Sequence, residues 1–226
     1  MLNWYLRYEP FVRELDERGA GGVLDVGSGW YGLSWYSARP VVQTDLHFAG
    51  SAPGPGRRGT ASFVCASAER LPFADDSFGW VVSSDMVEHL PTAIRAESVR
   101  ELTRVARDGV IVGFPAGRTA QLLDRVLALL LRVVRRSPPD WLQEHLDQTG
   151  YPDADLVKAA LPEGWAVEVV RRNGNLLLQL VVVVTELLPG MRALPGRLER
   201  RLRDRRVPAW FHTPPTTRVV LVLRRT

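Results

Sequence analysis

The stretch VLDVGSGWYG constrains the fold of this 226-residue chain more than any other. Val23 to Val26 is a short apolar run of strand type that closes directly on Gly27 and Gly29. Missing side chains at such a turn let the backbone approach a ligand, and a helix starting there aims its free N–H groups at it. Leu33 to Ala38 reads as the start of that helix, ended by Pro40. Gly27, Gly29 and Gly32 also satisfy the GxGxxG spacing of dinucleotide-binding folds, so the turn alone leaves two cofactor classes open.

Two carboxylates bear on that choice. Val41 to Thr44 is a second strand candidate closing on Asp45, where a carboxylate accepts hydrogen bonds from ribose hydroxyls in either class. Asp25 lies two residues before Gly27 in an otherwise apolar strand, where its charge would repel a bound pyrophosphate. S-adenosylmethionine (SAM) carries a sulfonium and an ammonium, and suits a site with Asp25 at the loop and Asp45 on the ribose. A strand-end aspartate that merely caps the glycine turn is the alternative reading of Asp25.

Ser62 to Cys65, Gly79 to Ser83 and Gly109 to Phe114 read as further buried strands, and Thr92 to Arg107 as an amphipathic helix. Phe11, Val12 and Leu15 place a leading helix at Glu9 to Arg18. AGSAPGPGRRG is too rich in proline and glycine to be helical. Helical patterns follow at Thr119 to Arg136, Trp141 to Gln148 and Asp153 to Leu161. Trp165 to Arg171 and Thr217 to Arg224 then read as neighbouring strands, the second antiparallel, around a largely helical insertion at Asn175 to Arg206. Strands alternating with crossovers predict an α/β, Rossmann-like fold: a mostly parallel seven-stranded sheet with helices on both faces. The expected layout is one domain over 1–226. Its parts are an N-terminal helix (1–20), a cofactor-binding core (21–115), a helical substrate cover (116–162) and a closing segment (163–226) with the insertion at 175–206.

From Val23 to Phe114 the chain resembles the class I SAM-dependent methyltransferase family, of the methyltransferase type 11-like kind. VLDVGSG is similar to the family's first motif, TDL to its ribose-binding strand end, and SAERLPFADDSFGWVVSSDMVEHLP to the stretch from the adenine loop through the fourth strand. RELTRVARDGVIVGFP resembles the helix and fifth strand that follow. A weaker likeness, WLQEHLDQTGYPDADLV to RRNGN, is to methyltransferases associated with glycan biosynthesis. The resemblance implies SAM as cofactor, held by Asp25, Gly27, Ser28, Gly29, Asp45, Leu46, Ser67, Ala68, Ser84 and Asp85. The chain departs from the family pattern at Tyr31, in place of a third glycine, at Ser67, in place of an adenine-binding aspartate, and at Gly79, in place of an aspartate after SF.

Methyl transfer relies mainly on positioning a nucleophile. His89, after the fourth strand, is the first candidate for a general base, and His145 in WLQEHLDQTG the second. Glu144 and Asp147 are candidates for binding acceptor hydroxyls or amines, or are solvated helix charges. No histidine and carboxylate set with a metal-ligand spacing stands out, so no metal is expected. The acceptor implied is a small molecule or a glycan or lipid-linked compound, methylated most plausibly at oxygen. A non-catalytic SAM-fold partner subunit and an NAD-binding oxidoreductase are the alternatives.

A formal charge of +4, nearly all of it from arginine since Lys158 is the only lysine, could attract phosphates, nucleic acid or anionic lipid, but it is modest and interspersed with acidic residues. Without an NPPY-like tetrapeptide or a catalytic cysteine, nucleic acid is not expected as the acceptor. Cys65, the one cysteine, excludes an intramolecular disulfide and is expected in the core. MLNWYLRYEP lacks a secretory pattern, so a cytoplasmic protein is expected, its mature chain beginning at Met1. The apolar helix 119–136 calls for a cover, either the chain's own insertion, a partner, or a membrane surface touched from outside. The arginine-rich 197–206 is expected to be a solvated helix face or a phosphate contact.

Overall fold

Seven strands build one sheet in the order β3-β2-β1-β4-β5-β7-β6. They are β1 (Val23–Val26), β2 (Val41–Asp45), β3 (Ala61–Cys65), β4 (Phe78–Ser84), β5 (Ala106–Pro115), β6 (Trp165–Asn175) and β7 (Thr216–Arg225). The computed structural model describes residues 2–48, 56–147, 150–187, 197, 199 and 207–226. β3, β2, β1, β4 and β5 run parallel, and β7 enters antiparallel between β5 and β6. The chain passes from β1 outward to β2 and β3, then returns to β4 on the other side of β1. That reversal opens a crevice beyond the carboxyl ends of β1 and β4, the usual ligand position in such sheets.

Central strands read as uninterrupted apolar runs because both faces are covered. On one face α1 (Leu2–Glu17) sets Tyr8, Phe11 and Leu15 against Val23, Val82, Ile111 and Val222. On the other, α2 (Thr92–Val105) and α5 (Ala154–Ala160) set Leu102, Val105 and Val157 against Leu24, Val81, Val110 and Leu221. Adjacent strand residues thus serve opposite layers. A third cluster joins α3 (Gly117–Val133), α4 (Asp140–Asp147) and α6 (Leu176–Leu187) through Leu123, Leu127, Leu131, Leu142 and Val183. The apolar helix therefore does pack on the chain's own insertion, while Leu122, Leu129, Leu130 and Val133 stay exposed on its outer side. Among the described residues no helix is long and apolar enough to cross a membrane.

Four expectations need correction. The leading helix lies within the expected 1–20 but begins at Leu2, seven residues before the Glu9 read from apolar spacing, and carries Pro10 in its interior. The buried stripe of Leu2, Tyr5, Leu6, Tyr8 and Phe11 outweighs the missing N–H. The helix expected at Leu33 to Ala38 is absent; two short 3₁₀ turns, Gly29–Tyr31 and Leu33–Trp35, take its place. Gly32 between them is extended, at φ −77° and ψ −163°, and interrupts the winding. Cys65 is exposed, because β3 is the sheet's edge strand. Glu199, expected on a solvated face, is buried; of the surrounding 197–206 segment, only it and the exposed Arg197 fall within the described residues.

Gly79 has a packing reason. A Cβ there would stand 2.4 Å from the Gly21 carbonyl oxygen, so no side chain fits. Gly32 is tighter still: its Cβ would meet Gln43 Nε2 at 2.4 Å, Asp25 Oδ2 at 2.5 Å and Ser28 Cβ at 2.7 Å. Gly32→Ala is expected to lower unfolding stability by about 2 kcal/mol. Gly21→Ala, with nothing within 4 Å, leaves the chemical-denaturation midpoint nearly unchanged and serves as the control.

Candidate active site

The glycine loop is tied to β2 and rests on a polar bed. Gly27 N and Ser28 N donate to the Thr44 carbonyl at 2.8 and 3.1 Å, and Gly29 N donates to Asp45 Oδ2 at 2.8 Å. Gly27 and Gly29 hold positive φ, +74° and +52°, the region that glycine enters without penalty. A Cβ on Gly27 would strike Met86 at 2.4 Å, whereas around Gly29 nothing lies within 4 Å. The loop therefore presents bare backbone at Gly29, beside the Asp45 carboxylate.

Asp25 lies beneath this surface. It is fully buried, accepts from Leu33 N at 2.7 Å and from the Tyr8 hydroxyl at 3.5 Å, and burial pushes its carboxyl up to about 7. Ser28 is buried as well: its hydroxyl donates to Gly29 O and accepts from Gln43 Nε2. Both residues shape the loop from below. Of the other residues expected around a cofactor, Leu46 is exposed beyond β2, and Ser67 and Ala68 follow β3 in a turn where Arg70 N donates to Ser67 O. Ser84 ends β4 with a buried hydroxyl that lacks a hydrogen-bond partner. Trp30, from the glycine stretch itself, interlocks with Phe48 and Phe63, which carry no motif, at ring centroid distances of 4.9 to 5.2 Å.

Asp85, also expected around a cofactor, is engaged by two arginines. At φ +56°, a conformation aspartate tolerates better than most residues, its side chain sits between Arg7 Nε at 3.0 Å and Arg218 Nη2 at 2.5 Å. Burial alone would raise Asp85, but the two guanidiniums hold its carboxyl below the usual range. Arg7 comes from α1 and Arg218 from β7, so nothing local in the sequence marks them.

Beyond Asp85 the two candidate bases meet. The His89 and His145 rings stack at 4.9 Å, 27° apart. His89 Nδ1 pairs with Glu144 Oε2 at 2.8 Å, and His145 Nδ1 with Asp124 Oδ2 at 3.1 Å. Trp141 and Tyr151 set their edges against His145, and the Tyr151 hydroxyl donates to Asp124. Arg95 holds the turn carrying His89 by donating to the Glu88 and Leu90 carbonyls, each at 3.0 Å. Burial, then His145, lowers His89 below the ordinary histidine value despite Glu144. The Glu88 carboxyl is wholly buried, and desolvation followed by the charge of Asp85 raises it well above the usual range. A cavity of about 210 Å³ lined in part by Gln121, Asp124, Arg125 and Tyr151 adjoins His145. Asp147 instead accepts from Gln143 on the exposed side of α4.

Comparison with known proteins places this edge in context. Residues 24–114 match the family model described as a methyltransferase domain. An uncharacterized methyltransferase of Mycobacterium marinum is 41% identical over 97 residues, covering 38% of this chain and 35% of that protein. One from Mycolicibacterium gilvum is 38% identical over 96 residues, again 38% of this chain and 35% of the relative. The match thus spans about a third of the length of these curated relatives. In fold, the chain is similar to magnesium protoporphyrin IX methyltransferase from Synechocystis PCC 6803 with bound SAH. The TM-score is 0.57 at 14% identity, over 99% of this chain and 84% of that one.

The buried Asp25 predicts how stability follows pH. Its folded carboxyl titrates near 7 against an ordinary 3.8, so between those values the native state binds more protons than the unfolded chain. Stability contributed by the protonated form is therefore present at low pH and lost as pH rises, by about 3 kcal/mol between pH 4 and 7. Denaturation midpoints measured across that range are expected to fall in the native protein and to fall markedly less in Asp25→Asn.

Proposed function

We propose that this chain, whose residues 24–114 match a methyltransferase domain, acts as a class I SAM-dependent methyltransferase and transfers a methyl group from SAM to a hydroxyl of a small-molecule or glycan-like acceptor. One observation carries the reading: bare backbone at Gly29 beside Asp45 shares the carboxyl edge of the sheet with the stacked pair His89 and His145.

The donor set fits the cofactor. Gly29 leaves open space where any larger residue would intrude, Asp45 offers a carboxylate to ribose hydroxyls, and Leu46, Ser67 and Ala68 flank the place of an adenine ring. Bound there, SAM supplies an activated methyl carbon with a neutral thioether as its leaving group. Asp25 and Ser28 hold the loop from below, and Asp85, locked by two arginines, anchors the turn that leads to His89. With Nδ1 directed at Glu144, His89 keeps Nε2 to accept the acceptor's hydroxyl proton, and His145 has the same arrangement through Asp124. The exposed leucines of α3 favour an acceptor with an apolar or lipid tail.

Calorimetry with S-adenosylhomocysteine tests the cofactor half of the reading. Micromolar binding is expected, weakened at least tenfold in Gly29→Ala, whose added methyl enters the open space and strains a positive φ. Absence of binding at millimolar concentration, or displacement by NAD, would overturn it. A stable protein partner with no methyl transfer to any acceptor would favour the non-catalytic subunit.

A further inference from the structure

We propose that Glu88, His89 and His145 form a three-ligand site for a divalent transition-metal ion of the kind bound by imidazole, such as zinc. One donor atom from each lies within 4.8 Å of the other two. Around an ion with bonds of about 2.1 Å, donor atoms stand about 3 to 4 Å apart, so the three need to close by roughly an ångström.

Three features make this more than proximity. Each imidazole already has its Nδ1 on a carboxylate, Glu144 for His89 and Asp124 for His145. That outer carboxylate is the usual support of a metal-ligating histidine, because it fixes the ring and leaves the Nε2 lone pair for the metal. His145 Nε2 is buried and has no hydrogen-bond partner. Both oxygens of Glu88 are buried without one, in a side chain 1% exposed, and Asp85 engages the nearby guanidiniums of Arg7 and Arg218. A buried carboxyl group whose two oxygens have no hydrogen-bond partner is left unsatisfied, and a divalent ion supplies the missing partner.

Two histidines and one carboxylate leave coordination positions open, the pattern of catalytic sites and not of closed structural ones. The role of the ion rests on the methyltransferase reading above. An acceptor hydroxyl bound to it ionises more readily and gives its proton to water. The oxygen lone pair then forms the bond to the methyl carbon as the carbon–sulfur pair returns to sulfur. His89 and His145 serve in that state as ligands, in place of the base role open to them without metal.

The test is titration of the full chain, stripped with chelator, with zinc by calorimetry and with cobalt(II) by visible absorption. One equivalent is expected to bind, with cobalt bands of a nitrogen and oxygen environment. His89→Ala and Glu88→Gln should each weaken binding at least tenfold. Glu144→Gln, at an exposed position that does not threaten folding, should weaken it several-fold through loss of ring support. No stoichiometric binding, or equal binding by the native protein and the three variants, would overturn the site. S-adenosylhomocysteine binding measured on the same stripped protein separates the two readings: cofactor binding without metal binding removes only the metal site, and metal binding without cofactor binding removes only the methyltransferase reading.

Discussion

The bond from the Leu33 amide to the buried Asp25 carboxylate organises the glycine-loop end of the molecule. It pulls the segment after the glycine turn down onto β1, where Gln43, Ser28 and Ser34 complete a polar bed with no room for a side chain at Gly32. Because the segment is drawn under the loop, Gly29 is left uppermost and Asp45 fastens it to β2. The open backbone at Gly29 is thus a consequence of what is buried below. A carboxylate that titrates near 7 is the energetic penalty of the arrangement.

A second buried carboxylate organises the other half. Asp85 joins Arg7 from the first helix to Arg218 from the last strand, so the two ends of the described chain meet at the end of β4. Such a pair of charged bonds does not by itself promise stability, since desolvation offsets much of the attraction. Its effect is positional: the turn carrying Glu88 and His89 leaves from a fixed point, and Arg95 holds its carbonyls from the opposite side. α4 then lays His145 against His89, and the two rings stack.

The strands were legible because a sheet covered on both faces selects continuous apolar runs; Val23 to Val26 needed no tertiary information. The antiparallel last strand and its neighbour also followed from pattern. What pattern could not show were outcomes decided by contact between distant residues. Leu33 to Ala38 has helical composition, yet with its first amide on Asp25 and the crowded Gly32 before it, it winds only the single 3₁₀ turn Leu33–Trp35. Asp25 and Ser28 carry the right motif and point downward, since the motif records the loop's foundation as much as its surface. Gly29 and Asp45 were legible from spacing, and His89 and His145 as separate candidates. Their stacking, the burial of Glu88 and the parts played by Arg7 and Arg218 depend on elements from opposite ends of the chain.

On the proposed function, cofactor and acceptor meet at the carboxyl edge, between the glycine loop and the histidine pair. A crystal structure with S-adenosylhomocysteine tests it most directly. The ribose is expected on Asp45, the backbone of the ligand along Gly29, and the sulfur directed toward the space before His89 and His145. A ligand bound elsewhere, or a sulfur facing away from that pair with ordered protein between them, would contradict it.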